Sequence, residues 1–323
     1  MTRERAFQQP ARRFLRAVGI VTLASVAWLM GALAFSATPA PAAPTRLVCS
    51  SISSKILGRA VSYCVDLPAD YGSTTRRYPT LYFLHGLFEN YHSWDENGGK
   101  EILDDLLRQG KLGPFLVVLP NADNTFYVNA YSGHDNYEDF FIKELVPTID
   151  RMYRTIPQRQ ERGISGVSMG GYGALHLAML HPDIFGSVSA QGAALVKFPS
   201  PIPTTGRWGF YVRVAEHSFG NPLNEAYWIK SNPLTLAEHP ERFTNLQIYF
   251  DCGTHDRYGF EKGAELLDQI LNQHDFQHVF ALRPGNHGWG YLAKYMKYSL
   301  FFEWRCFQAG ERSGAGAPGG ATH

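Results

Sequence analysis

Residues 162–175 read Arg162-Gly163-Ile164-Ser165-Gly166-Val167-Ser168-Met169-Gly170-Gly171-Tyr172-Gly173-Ala174-Leu175, and their interpretation decides the fold. A short β-rich run enters a Gly-x-Ser-x-Gly turn, and a helical run of small residues leaves it. Strand, tight turn and helix form the context in which a serine projects as a nucleophile from a strained backbone. Gly166 and Gly170 remove side chains that would collide in the turn. Gly171, Gly173 and Ala174 let the helix pack close, and its N-terminus favours negative charge developing beside Ser168. In a chain of 323 residues with 31 glycines the motif alone proves little, so position has to carry it. The competing interpretation is a glycine-rich strand–helix turn with a spectator serine.

Outward from this turn, short apolar runs alternate with helical patterns. Residues 80–84 (TLYFL), 115–119 (FLVVL), 185–190, 246–250 (LQIYF) and 278–282 read as buried strands. Residues 102–109, 137–153, 171–180, 259–272 and 289–307 read as helices. Such alternation predicts an α/β fold: a mostly parallel central sheet with helices on both faces. Residues 48–54 and 60–66 flank Leu57-Gly58 and predict an N-terminal antiparallel hairpin. If it centres on that turn, Cys49 and Cys64 oppose each other closely enough for a disulfide; two free thiols are the alternative. Cys252 and Cys306 have no comparable argument. Residues 191–231, rich in Pro, Gly and aromatics, break the alternation and read as an excursion over the site.

Sites in open α/β sheets form beyond the carboxyl ends of the strands. A nucleophilic serine needs a base and an orienting acid, here in the order Ser, acid, His. His287 lies in the loop Arg283-Pro284-Gly285-Asn286-His287-Gly288-Trp289 after the last strand and is the expected base. The preceding strand ends in Asp251-Cys252-Gly253-Thr254-His255-Asp256. Asp251 could cap the turn, whereas Asp256 lies further into the loop and is preferred as the acid. The developing oxyanion needs backbone donors, expected at Met169 and at Leu87 in the His85-Gly86-Leu87 loop. Trp94, Phe126, Tyr127, Trp208 and Trp289 are the aromatics near these loops; Trp94, Tyr127 and Trp289 are taken as the substrate contacts. Glu138 reads as a capping or salt-bridge residue. No metal-binding spacing, phosphate loop or dinucleotide pattern is present, so neither metal nor cofactor is expected.

Arg3, Arg5, Arg12, Arg13 and Arg16 precede a charge-free apolar stretch at 19–37 and a small-x-small site at Ala40-Pro41-Ala42. Residues 1–42 therefore read as a signal peptide, placing the protein in the secreted or periplasmic space. An uncleaved anchor through residues 19–37 is the alternative. Residues 45–308 form the expected catalytic domain, and 309–323 a Gly/Ala-rich disordered tail. A net charge of +1 gives no case for a nucleic-acid partner.

The segments TLYFLHGLFEN (80–90), GVSMGGYGAL (166–175), DCGTHD (251–256) and PGNHGWGY (284–291) resemble the putative-esterase family of α/β hydrolases, over about residues 48–307. That family includes esterase D (S-formylglutathione hydrolase), tributyrin esterases, feruloyl and acetylxylan-type esterases and mycolyltransferases. The resemblance implies Ser168 as nucleophile, His287 as base, Asp256 as acid, and Leu87 and Met169 as oxyanion donors. Esterase D is cytosolic, whereas this chain carries an export signal, so the exported, tributyrin-esterase-like branch is the nearest match. The implied activity is hydrolysis of short-chain acyl or carbohydrate-linked esters through an acyl-enzyme. The alternatives are acyl transfer to a sugar or lipid, and a non-catalytic binding module.

Overall fold

The computed structural model describes residues 43–315. The expected signal peptide, including the apolar stretch at 19–37, lies outside these residues, as does the end of the tail. Among the described residues no helix is long and apolar enough to cross a membrane.

Among the described residues the sheet has eight strands: β1 (Arg46–Ser53), β2 (Ala60–Leu67), β3 (Thr80–Leu84), β4 (Leu116–Pro120), β5 (Arg162–Val167), β6 (Ser187–Gln191), β7 (Gln247–Gly253) and β8 (Val279–Arg283). Their order is β1-β2-β4-β3-β5-β6-β7-β8, with β1 and β2 antiparallel to their neighbours and the rest parallel. The helices are α1 (Ser93–Glu96), α2 (Gly99–Arg108), α3 (Tyr137–Phe140), α4 (Val146–Met152), α5 (Met169–Leu180), α6 (Gly206–Phe219), α7 (Glu225–Ser231), α8 (Pro233–Leu236), α9 (Phe260–Gln273) and α10 (Trp289–Ala315).

Strand β3 shows why the central strands read as unbroken apolar runs. Side chains alternate across the sheet, and both faces are covered. Leu81 and Phe83 enter the core shared with α2 and α10, while Tyr82 and Leu84 enter the core shared with α3, α5 and α9. β4 divides in the same way, Val117 and Leu119 on one side and Leu116 and Val118 on the other. A strand buried on both faces has no polar side to show.

The hairpin pairs as expected. Cys49 is opposite Cys64 in the β1–β2 ladder, and the two form a disulfide. Cys252 and Cys306 are free. Two helices differ from expectation. The helix read at 137–153 is interrupted by a π-turn, Phe141–Leu145, between α3 and α4. Pro147 explains it: proline has no N–H and its ring crowds the carbonyl four residues earlier, which the wider turn relieves. The final helix does not stop at 307 but runs to Ala315. Gly310 packs on Gln160 and Glu161, where an added Cβ would fall within 3 Å of both. A residue with a poor helical propensity is here the one that fits the neighbouring turn. Glu138 is a tie between elements: its carboxylate meets Nε2 of His176 and of His181, each at 3.0 Å, joining α3 to α5.

The elbow glycines are sterically required. A Cβ on Gly166 would fall within 3 Å of the Gly170 backbone, and one on Gly170 within 3 Å of the Leu84 and His85 carbonyl oxygens. Gly72 has open space within 4 Å. Gly170→Ala is therefore expected to cost about 3 kcal/mol or more in unfolding free energy by forced overpacking, against less than about 0.5 kcal/mol for Gly72→Ala; denaturant unfolding of the two variants measures the difference. A second expectation concerns Glu303 of α10, fully buried against Gly163 and Ser187, whose hydroxyl it accepts. Burial pushes its carboxyl up to about 7. The folded chain keeps this proton at pH values where the unfolded chain has lost it, so stability falls as pH rises from the ordinary carboxyl range through 7. Glu303→Gln, always neutral, should remove on the order of 2–3 kcal/mol of the stability difference between pH 5 and pH 8, read from unfolding curves at the two pH values.

Candidate active site

The ends of β3, β5, β6, β7 and β8 finish side by side. Leu84 pairs with Gly166, Val167 with Gln191, Gln191 with Asp251, and Gly253 with Arg283. The loops just beyond these ends carry the expected residues, so the ladder itself brings positions 85–89, 168, 256 and 287 to one edge.

Ser168 follows β5 with φ 57° and ψ −117°, outside the ordinary range for a residue with a side chain. Its N–H donates to Gln191 O at 3.0 Å, and its carbonyl accepts from Tyr172 N and Ala194 N, each at 3.0 Å. Asp256 Oδ2 accepts from His287 Nδ1 at 2.6 Å, and Oδ1 accepts from Tyr258 N at 2.8 Å. An ionised carboxylate only accepts, so Nδ1 carries the proton and Nε2 is left with its lone pair. Asn286 Oδ1 accepts from His287 N and Arg257 N, both at 2.8 Å, and so ties the two loops together. Gly192, at φ 52°, leaves the imidazole room: an added Cβ would lie 3.3 Å from Nδ1. Ser168 and His287 line one cavity of about 160 Å³. No hydrogen bond joins Ser168 Oγ to the ring in this structure; the relay is assembled up to Nε2.

Two carboxylates end β7, and the structure gives them different company. Burial alone would raise the Asp256 carboxyl, but the hydrogen bond and charge of His287, then the Tyr258 N–H and the Cys252 thiol, together hold it below the ordinary value. Asp251 is pushed up to about 6 by burial, against the hydroxyls of Tyr249 and Tyr291 and the charge of Arg283. Those groups consume Asp251, and it is Asp256 that meets His287.

The loop after β3 is held from several sides. Glu89 Oε2 accepts from Gly86 N at 2.9 Å, and Asn124 Oδ1 accepts from Phe88 N at 2.9 Å. His85 is buried: Nδ1–H donates to Gly86 O at 2.8 Å and Nε2 accepts from Ala122 N at 3.0 Å. Burial lowers its imidazole to about 4, so it serves as a neutral brace. Between the occupied amides of Gly86 and Phe88, the Leu87 N–H has no intramolecular acceptor among the described residues. Neither has the Met169 N–H, the first of α5. Leu87 and Met169 both line the cavity.

Three expected substrate contacts are placed elsewhere. Trp94 is buried, packs on Phe83 at 4.8 Å and donates to Asp66 Oδ2 at 3.3 Å, on the α2–α10 side of the sheet. Tyr127 is fully buried beneath Gly173 and donates to His85 O at 3.1 Å. Trp289 packs on Phe83 and donates from Nε1 to Glu89 Oε1 at 2.8 Å. Tyr127 and Trp289 thus act behind the cavity wall, bracing the loop that carries Leu87. The aromatic wall is made instead by Phe88, Phe126, Trp208, Phe210, Tyr211, Tyr258 and Phe260, with Arg207 and Arg257. Glu89, Tyr258 and Phe260 carried no assigned role in the sequence; the spacing of Glu89, three residues after Gly86, was the available signal.

The chain is similar to known proteins. A 141-residue segment is 34% identical to an endo-1,4-beta-xylanase/feruloyl esterase of Xylanibacter ruminicola, covering 41% of this chain but 19% of that protein's length. An acetyl esterase of Caldicellulosiruptor saccharolyticus is 29% identical over 70% of this chain and 82% of its own. The solved structure of a ferulic acid esterase superposes with a TM-score of 0.70 at 27% identity, over 82% of this chain and 99% of that one. The family described as "Putative esterase" matches residues 54–297, and on that extent the chain belongs to this esterase family of the α/β-hydrolase fold.

Proposed function

We propose that the protein is an exported serine carboxylesterase in which Ser168 is the nucleophile, His287 the general base and Asp256 its orienting acid. One observation carries the reading. Ser168 stands on a positive-φ strand–helix turn and shares a cavity with a histidine whose other nitrogen is held by a carboxylate at 2.6 Å.

In this mechanism Ser168 Oγ bonds to the ester carbonyl carbon as its proton passes to His287 Nε2. The carbonyl oxygen becomes an oxyanion in front of the Leu87 and Met169 N–H groups. The carbon–alkoxy bond then breaks, and His287 returns the proton to the departing alcohol. Water repeats the sequence on the acyl-enzyme, giving its proton to Nε2 and releasing the acid while the proton returns to Ser168. Asp256 keeps the imidazole in the tautomer that leaves Nε2 basic.

The acyl groups named for the relatives, acetyl and feruloyl, set the substrate range proposed here: short-chain acyl or carbohydrate-linked esters. Export rests on the positive, apolar and small-residue pattern of residues 1–42 and on the Cys49–Cys64 disulfide, which suits an oxidising compartment. Ser168→Ala should leave the unfolding transition in place and lower hydrolysis of p-nitrophenyl acetate by about 10⁴-fold or more. Ser168→Ala/His287→Ala should be no slower than the worse single variant, because the two groups act as a unit. Turnover persisting in purified Ser168→Ala, or absence of fluorophosphonate labelling of the unmodified chain, refutes the assignment.

A further inference from the structure

Two kinds of residue line the cavity: the apolar Phe88, Phe126, Phe210 and Tyr211, and the charged Arg207 and Arg257. Among the described residues neither guanidinium reaches a carboxylate within 4.0 Å, although the chain forms ion pairs at many other positions. Glu89 and Asp256, two carboxylates at the site, are already occupied. Glu89 accepts from Gly86 N and Trp289 Nε1, and Asp256 accepts from His287 and Tyr258. The two arginines belong to different elements, Arg207 to the start of α6 and Arg257 to the loop after β7, and are gathered by shared contacts. Arg207 donates from Nη1 to Arg257 O. Both guanidinium groups lie against the Tyr258 ring, at 5.8 and 5.3 Å from its centroid. That ring meets His287 edge-on at 4.9 Å.

Position tells which part of an ester would meet them. His287 must hand a proton to the departing alcohol, so the alcohol portion lies on the imidazole side of Ser168. Arg257 is on that side: a Cβ on Gly288, next to His287, would lie 3.8 Å from Arg257 Nη2. Two neighbouring cations without a counter-ion repel each other, and a planar fork of donors suits a bidentate oxyanion. We propose that Arg207 and Arg257 form an anion subsite on the alcohol side, so that this chain favours esters whose alcohol carries a carboxylate or a phosphate. The inference rests on the assignment of Ser168 and His287 above for the direction of the substrate.

The test uses 4-acetoxybenzoate, its uncharged methyl ester and 4-acetoxyphenyl phosphate, with two readouts. In calorimetric titrations of Ser168→Ala, at least one of the two anions should bind about tenfold more tightly than the methyl ester, and their order tells carboxylate from phosphate. The ratio should shrink in Arg257→Gln, approach one in Arg207→Gln/Arg257→Gln, and fall as salt is raised, because exposed charges are screened. In the unmodified enzyme the same ratio should appear in kcat/KM and follow the same variants. Equal affinity for charged and uncharged esters, or an anion preference that survives the double substitution, overturns the subsite. An unmodified chain that shows the arginine-dependent preference in binding but hydrolyses none of the three bears out the subsite and overturns the catalytic assignment instead.

Discussion

At Ser168 the backbone must pass through a conformation that side chains avoid, and the surrounding structure is built to hold it there. The residue's own N–H and C=O are fixed from three directions, by Gln191, Tyr172 and Ala194. The Gly166 and Gly170 backbones close to a distance that no Cβ would permit, and Gly170 also lies against the Leu84 and His85 carbonyls. Such a strained residue persists only where its neighbours over-determine it. Two consequences follow together. The hydroxyl is carried out of the sheet edge into the cavity, and the next N–H, on Met169, opens helix α5 with no acceptor of its own. The device that exposes the oxygen also leaves a donor, at the positive end of a helix, beside the place where charge would develop.

The two aspartates ending β7 show how environment divides one chemistry. Burial alone pushes both carboxyls upward. At Asp256 the partner is an imidazole able to become cationic, supported by a backbone N–H, and the result is a depressed carboxyl. At Asp251 the nearest partners are neutral tyrosine hydroxyls, and burial prevails. Titratable neighbours whose surroundings push them apart are suited to different tasks. Asp251 joins β7 to α10 through Tyr291 and holds the strand end, while Asp256 faces the loop that carries His287.

The parts legible in the sequence were those set by period and order. Runs such as TLYFL are apolar throughout because both faces of the sheet are covered, and that pattern survives in any sequence for such a strand. The Cys49–Cys64 register followed from counting outward from Leu57-Gly58. That Asp256 rather than Asp251 meets His287 followed from reach. The aromatic lining followed only in part: Phe126 and Trp208, named near these loops, do line the cavity, and the rest did not follow, for reasons of direction. Trp94 leaves the β3 loop toward the α2–α10 face, on the far side of the sheet from the cavity, and nothing in its spacing reports that choice. Tyr127 and Trp289 reach the neighbourhood but spend their polar atoms on His85 O and Glu89. The residues that do line the cavity come partly from 206–211 and 257–260, segments brought over the sheet by long-range packing rather than by a repeating pattern. The extent of α10 was missed because Gly310 is a poor helix former that is favoured there by contact with Gln160 and Glu161, which only the folded chain supplies.

Under the proposed assignment, reactivity and selectivity stand on different supports. Ser168, Asp256 and His287 extend from the ends of hydrogen-bonded strands, and their geometry is fixed by the sheet register. Phe210, Tyr211 and Arg207 stand on α6, within an excursion that joins β6 to β7 and adds no strand to the ladder. Tyr258 touches both parts, packing on His287 while lying beside both guanidinium groups. A change in α6 can therefore reshape the wall without moving the strand ends, whereas a change at Tyr258 is transmitted to the imidazole. Loops on a rigid scaffold tolerate variation that the scaffold does not. In this chain the boundary between the two falls between Arg257, which extends to the rim, and Asp256, which is locked beneath it.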